Sequence, residues 1–147
     1  MSVASTQKVI EGYLGGHGAE WLSERIEFFD QSQSTPHVGR ADVVAWLDGF
    51  YRSAFSDAHA EPVSLTVGDD RAAAEWVFRG RHTGSLAGED PTGREVRVPM
   101  AAVYEVAGGE IVRARLYYDT GTLAAQISSD RSATAGSSVA SGFEGGQ

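Results

Sequence analysis

His82 and Asp119 are the two side chains in this sequence whose types and positions best suit proton-transfer chemistry. Both occur in the segment from Trp76 to Ile127, each near the end of a predicted strand. An aspartate held among apolar side chains can remove a proton from carbon and return it to oxygen, and a histidine can donate a hydrogen bond to a substrate oxygen. The two residues are therefore candidates for general acid/base catalysis.

The alternation of side chains along the strands assigns these two residues to opposite faces of the predicted sheet. His82 lies on the face of the large apolar residues, whereas Asp119 falls on the same face as Arg113 and Arg115. Asp119 reaches the apolar side only where a bulge shifts the register or where the strand ends. The alternative role for Asp119 is the N-cap of a helix over residues 120–127. The alternative for His82 is a strand-end histidine that hydrogen-bonds to the backbone.

Large apolar side chains are predicted to form the walls of a hollow for a hydrophobic ligand. They share the inward side of the strands and of a central helix, and the small residues Gly80 and Ala102 leave space among them. The predicted substrate-binding residues are Tyr13, Trp46, Phe50, Trp76, Phe78, Met100, Tyr104 and Tyr118. In the alternative, the helix that carries Trp46 and Phe50 fills the hollow completely.

The elements that must position these residues are helical in the first third of the chain and mainly extended afterwards. Apolar spacing predicts helices over residues 5–14, 19–25 and 42–55, with a short strand over 26–29. Alternation and turn residues predict strands over 62–69, 72–83, 94–106 and 110–119, then a short helix over 120–127. This order predicts an α+β fold in which helices pack on one face of a curved antiparallel sheet.

The length and the composition limit the domain organisation. The chain has 147 residues, which suits one domain with one core, predicted here over residues 1–127. Residues 128–147 are rich in Ser, Ala and Gly, a composition that cannot form a core and that predicts a flexible tail.

Composition also excludes several classes of function. A formal net charge of -8 makes nucleic acid an improbable partner, and the absence of cysteine excludes disulfides and thiolate nucleophiles. The histidines show no metal-ligand spacing, so no metal site is predicted. The sequence has no phosphate loop and no dinucleotide-binding fingerprint, and no cofactor is predicted. No stretch approaches the ~20 apolar residues of a membrane span, so we expect a cytoplasmic protein without a membrane partner.

Two segments carry a resemblance to a known family. The segments FRGRHTGSLAGEDPTGREV and GEIVRARLYYDTGTLAAQI resemble the SnoaL-like polyketide cyclases of the nuclear transport factor 2-like superfamily. The matching residues are Gly80, His82, Thr83, Gly84, Pro91, Thr92, Gly93, Asp119 and Gln126. The resemblance implies a cone-shaped α+β half-barrel around a hydrophobic cavity, usually as a homodimer. It also implies that Asp119 points into the cavity as the general acid/base, with His82 as its polar partner.

Two other groups of enzymes are similar to this family, and the chain departs from both. Ketosteroid isomerases carry one acid where this chain has Ser34 and Thr35, and another where it has Ala102. Steroid isomerisation is therefore not expected, although Tyr13 stands where their catalytic phenol does. Limonene-epoxide hydrolases use an arginine and two aspartates, and His82 occupies the position of the second aspartate.

The function that this resemblance implies is cofactor-independent cyclisation. The expected reaction is an intramolecular aldol closure of a hydrophobic, oxygenated intermediate in polyketide natural-product biosynthesis, with Asp119 moving the proton. One alternative keeps the hollow and opens an epoxide or rearranges a ring. Another is a non-catalytic protein that only binds a hydrophobic ligand.

Overall fold

The computed structural model describes residues 2–16 and 18–128. Its helices are α1 (Val3–Gly16), α2 (Arg40–Leu47) and α3 (Thr120–Ile127). Its strands are β1 (Leu22–Asp30), β2 (His37–Val38), β3 (Phe55–Val67), β4 (Arg71–His82), β5 (Glu95–Ala107) and β6 (Glu110–Tyr118). The predicted tail over residues 128–147 lies outside the described residues except for Ser128, whose backbone N–H donates to the Ala124 carbonyl at the end of α3.

The strands form one six-stranded sheet in the order β2-β1-β6-β5-β4-β3. Neighbouring strands are antiparallel except β1 and β6, which run parallel. The expected α+β class with a curved, unclosed sheet is confirmed. The prediction that all strands pair antiparallel was wrong for β1 and β6. Almost the whole domain lies between β1 and β6 in the sequence. Since no hairpin joins them, no local turn forces these two strands to be antiparallel.

The predicted helix over residues 19–25 was also wrong beyond its first residues. Only Ala19–Trp21 form a 3₁₀ turn, and Leu22 begins β1. Leu22 pairs with Ile111 of β6, and burial then recurs at alternate residues from Ile26 to Asp30. Pairing with β6 therefore overrides the weak helical spacing of this segment.

The central helix is shorter than the predicted 42–55 segment and changes its winding. After Leu47 the chain continues as a π-helical turn, Asp48–Ser53, and Phe55 already belongs to β3. A π turn takes more residues than an α turn, so it rotates the side chains that follow. The start of α2 is tied to the sheet because Arg40 Nε donates to the Leu22 carbonyl at 2.9 Å.

The inward faces of β4 and β5 agree with the predicted alternation, and β6 agrees at Ala114 and Leu116. At the start of β6 the prediction was wrong, because the register with β5 shifts between Glu105 and Val106 and Ile111 is buried in place of Val112. The buried residues of β5 run from Val96 to Val106 at every second position, and Ala114 and Leu116 continue the same surface on β6. The helices α1 and α3 cover this surface through Ile10 and Leu123, among others. The core therefore lies between one sheet face and the helices.

Gln126 fixes α3 against β5. Its side-chain oxygen accepts from the Arg97 backbone N–H at 2.6 Å, and its Nε2 donates to the Arg97 carbonyl at 2.9 Å. The two bonds satisfy the N–H and the carbonyl of Arg97, as a neighbouring strand would, so α3 is held at one place along β5.

The outer sheet face carries ion pairs. Arg113 contacts Glu27 at 2.8 Å and Glu105 at 3.1 Å, and Arg115 contacts Glu105 at 2.9 Å. These groups are partly exposed to solvent, which screens their charges, so each pair contributes little to stability. Among the described residues no helix is long and apolar enough to cross a membrane.

Gly84 tests how closely the loop after β4 packs against the end of the π-helical turn. A Cβ added there would lie 1.8 Å from the Ser53 carbonyl oxygen, so the backbone must move. We expect Gly84→Ala to lower the free energy of unfolding by at least about 1–3 kcal/mol, measured by urea denaturation. The control is Gly15→Ala, where no atom lies within 4 Å of the new Cβ. Equal stability of the two variants would contradict this packing.

Candidate active site

The structure makes Asp119 a helix cap and does not direct it into a hollow. Its Oδ1 accepts from the Gly121 backbone N–H at 2.9 Å, and its Oδ2 accepts from Thr122 Oγ1 at 3.0 Å. The register between β5 and β6 is regular from the Glu105–Arg113 pair to the Met100–Tyr118 pair, and its shift lies at the opposite end, between Glu105 and Val106. No bulge therefore turns Asp119 inward. The expected projection of the Asp119 carboxylate into the cavity was therefore wrong, because the end of β6 delivers it to the N-terminus of α3.

His82 is on the inward face, as predicted, but its contacts are with a loop. The side chain is fully buried, and Nδ1 accepts from the Thr92 backbone N–H at 3.2 Å and lies 3.0 Å from Thr92 Oγ1. The Phe55 ring lies 5.8 Å away, centre to centre. Since Nδ1 accepts, the neutral ring carries its proton on Nε2. That atom has no hydrogen-bond partner within the described part of the chain.

His82 and Asp119 therefore do not form a pair. Their strands, β4 and β6, are separated by β5. His82 is buried on the inner face, whereas Asp119 is exposed at the end of β6.

The structure contains a hollow of about 560 Å³ between α2, α3, the end of β1 and the loop after β4, which we call the Asp30 hollow. Its apolar walls are Trp46, Phe50, Leu86, Leu123, Ala124 and Ile127. Its polar lining residues are Asp30, Ser32, Gln33, Glu89, Tyr118 and Thr120. This size and mixture of walls suit a small organic ligand.

Asp30 is the buried carboxylate of this hollow, whereas Glu89 is exposed. Its side chain is only 2% exposed at the last position of β1. Oδ1 accepts from the Ser32 backbone N–H at 2.9 Å and from Ser32 Oγ at 2.6 Å. Oδ2 accepts from the Tyr118 hydroxyl at the longer distance of 3.3 Å. The Ser32 contacts hold Oδ1, and Oδ2 is the oxygen with capacity for a ligand.

Sequence reasoning missed Asp30, although a signal was present. Ile26, Phe28 and Asp30 have the same parity, so a strand that includes all three places Asp30 on the buried side. The predicted strand over 26–29 stopped one residue short of it.

Tyr118 supplies the second polar group of the hollow. Burial raises the pKa of the Tyr118 phenol and the Asp30 carboxylate raises it further, while a hydrogen bond with Ser32 works in the opposite direction. The phenol therefore keeps its proton at neutral pH and remains a hydrogen-bond donor.

A second hollow of about 440 Å³ lies on the other side of α2, and we call it the Trp76 hollow. Its lining includes the end of α1, residues 58–60 of β3, and Tyr51, Trp76 and Phe78. The two hollows share no lining residue.

The predicted substrate-binding residues separate into three groups. Trp46, Phe50 and Tyr118 line the Asp30 hollow, and Trp76 and Phe78 line the other. Tyr13, Met100 and Tyr104 are packed in the core and line neither.

The space expected at Gly80 is occupied. A Cβ there would lie 3.1 Å from the Phe55 side chain. The middle of the predicted hollow is thus filled with protein, and the space remains on either side of α2.

Comparison with known proteins agrees with this architecture. The family model for the SnoaL-like polyketide cyclase matches residues 17–127. No curated protein sequence matches the chain significantly.

Several solved structures share the fold. A candidate polyketide cyclase from Xanthomonas campestris pv. campestris superposes with a TM-score of 0.77 at 21% identity, over 86% of this chain and 98% of that one. AclR, a candidate hydroxylase from Streptomyces galilaeus, gives 0.74 at 20% identity, over 87% and 98%. A protein with a ketosteroid isomerase-like fold from Catenulispora acidiphila DSM 44928 gives 0.66 at 20% identity, over 83% and 93%.

The capping role of Asp119 is open to a direct test. We expect Asp119→Ala to lower the free energy of unfolding by about 0.5–2 kcal/mol, because α3 loses an N-cap. Equilibrium urea denaturation measures the change. Asp119→Ser is the matched control and retains most of the stability, since serine is also a good N-cap. An alanine variant as stable as the wild-type protein would exclude the cap as a stabilising contact.

Proposed function

The chain belongs to the SnoaL-like polyketide cyclase family, and on this premise we propose that it catalyses acid/base chemistry on a hydrophobic, oxygenated small molecule in the Asp30 hollow. The observation that carries the proposal is a buried carboxylate, Asp30, in an apolar hollow of ligand size. Burying an ionisable group is costly unless it has partners, so such groups concentrate at functional sites.

Within this proposal, Asp30 moves one proton. Oδ2 takes a proton from a carbon beside a substrate carbonyl, and the resulting enolate attacks a second carbonyl of the same molecule to form the new carbon–carbon bond. The alkoxide that this step creates then recovers the proton from Asp30. No atom is gained or lost, so the reaction needs no cofactor.

Two neighbours of Asp30 support this role. Ser32 holds Oδ1 through its backbone N–H and its hydroxyl, which fixes the plane of the carboxylate. The Tyr118 hydroxyl lies 3.3 Å from Oδ2 and can turn its hydrogen bond to a substrate oxygen as negative charge develops there.

We assign His82 an indirect role. Its Nδ1 holds Thr92 in the loop that follows β4, and Leu86 and Glu89 of that loop line the Asp30 hollow. His82 is thus a positioning residue for one wall of the site.

A homodimer is a further part of the proposal, since the family resemblance implies one. The sheet's outer face presents Tyr117, 43% exposed, beside the Arg113 ion pairs. Sedimentation velocity should give the mass of a dimer; a monomer at micromolar concentration would reject this part.

The central prediction concerns Asp30→Asn. The amide can still accept from Ser32 but cannot take a proton, so cyclisation of a poly-β-ketone substrate should slow by about 10²- to 10⁴-fold. Product formation is followed by chromatography and mass spectrometry.

Asp119→Asn is the matched control, because it makes the same chemical change on an exposed carboxylate and asparagine still caps α3. It should turn over as the wild type does. A folded Asp30→Asn variant with unchanged turnover would reject the base. Saturable binding without turnover by the wild type would favour the non-catalytic alternative, and oxygen-18 from water in the product would favour epoxide opening.

A further inference from the structure

We infer that the Trp76 hollow is a second ligand site, separate from the Asp30 hollow, for an uncharged ring-bearing small molecule. Its volume of about 440 Å³ is within the range of ligand pockets. The proposed acid/base reaction does not use it.

Aromatic side chains form the inner wall of this hollow. Trp76 and Phe78 project from the inward face of β4, and Tyr51 packs against Phe78 with ring centres 5.1 Å apart. Leu14 and Leu47 complete the apolar surface from α1 and α2. Flat faces and aliphatic edges of this kind suit a ring system.

An irregularity of β3 shapes the opposite wall. The pairing of β3 with β4 shifts between Ser56 and His59, and Asp57 has a left-handed φ of 55°. An aspartate in that conformation costs free energy, and bulges often turn side chains at sites. Here three successive residues, Ala58 to Ala60, line the hollow, and the two alanines leave its space open.

The charges at the mouth favour an uncharged ligand. Arg52 and Asp48 both line the hollow and lie 3.5 Å from each other, so their charges offset. From β3, the titratable side chain that lines the hollow is His59, and its Nδ1 lies 2.9 Å from the Asp57 carbonyl oxygen. Burial keeps Tyr51 protonated by raising its pKa. A ligand with a full charge would find no unpaired counter-ion among these groups.

The two hollows are on opposite sides of the helical segment from Arg40 to Ser53. Phe50 lines the Asp30 hollow and its neighbour Tyr51 lines the Trp76 hollow, with ring centres 4.8 Å apart.

Two glycines allow each hollow to be filled separately by a larger side chain. Gly15 lines the Trp76 hollow and Gly49 lines the Asp30 hollow, and a Cβ at either would meet no atom within 4 Å.

The test uses 2-naphthol as an uncharged two-ring probe. Binding is followed by NMR through the indole N–H signals of the ¹⁵N-labelled full chain, and the Trp76→Phe variant identifies the Trp76 signal. The probe should shift the Trp76 signal saturably. Gly15→Leu should weaken that binding by at least about tenfold, equivalent to 1.4 kcal/mol, and the matched variant Gly49→Leu should preserve it. Circular dichroism confirms that both variants fold, and Ala60→Leu repeats the block from the opposite wall.

Three results would overturn the inference: a Trp76 signal that the probe does not shift, equal binding by the Gly15→Leu and Ala60→Leu variants and the wild type, or 2-naphthoate binding as tightly as 2-naphthol. Asp30→Asn should still bind the probe at Trp76. Failure of the catalytic proposal is therefore distinguishable from failure of this one.

Discussion

Phe50 is the side chain on which the arrangement of the interior depends. Its ring stacks on Trp46 at 5.4 Å, meets Tyr51 at 4.8 Å, and lies about 6 Å from the rings of Phe78 and Tyr118. The π-helical turn that carries it brings these rings into the open side of the curved sheet. A single large cavity is thereby replaced by two hollows with different linings.

This division determines where chemistry can take place. Of the two hollows formed by the described residues, the Asp30 hollow is the one with a buried carboxylate. That group is held by three hydrogen bonds from Ser32 and Tyr118. Hydrogen bonds of this kind offset the loss of hydration, so Asp30 can stay buried without an ion-pair partner among the described residues. The same bonds leave Oδ2 with a single contact, the 3.3 Å one to the Tyr118 hydroxyl.

The sequence predicted the parts of the fold that depend on local pattern. Strict alternation located the inward faces of β4 and β5. It also kept Asp119 off the apolar face, and Asp119 is exposed at the end of β6, although the family resemblance pointed inward. Contacts distant in the chain were not predictable: β1 extends to Leu22 because of its pairing with β6, and β3 is an exposed edge strand whose residues from Ser56 to Ala60 show no apolar alternation. Asp30 was missed because the predicted strand stopped at residue 29, whereas pairing of Asp30 with Leu116 extends β1 by one residue. Its role depends on Ser32 and on Tyr118, a residue far along the chain.

Deuterium exchange into carbon tests the account most directly. A 1,3-diketone that cannot cyclise is incubated with the protein in D₂O, and loss of its acidic carbon-bound proton is followed by NMR. If Asp30 is a base in contact with the ligand, exchange is faster with the protein than in buffer, and a competing ligand of the Asp30 hollow suppresses the excess. Exchange no faster than in buffer, with the diketone bound, would contradict the account.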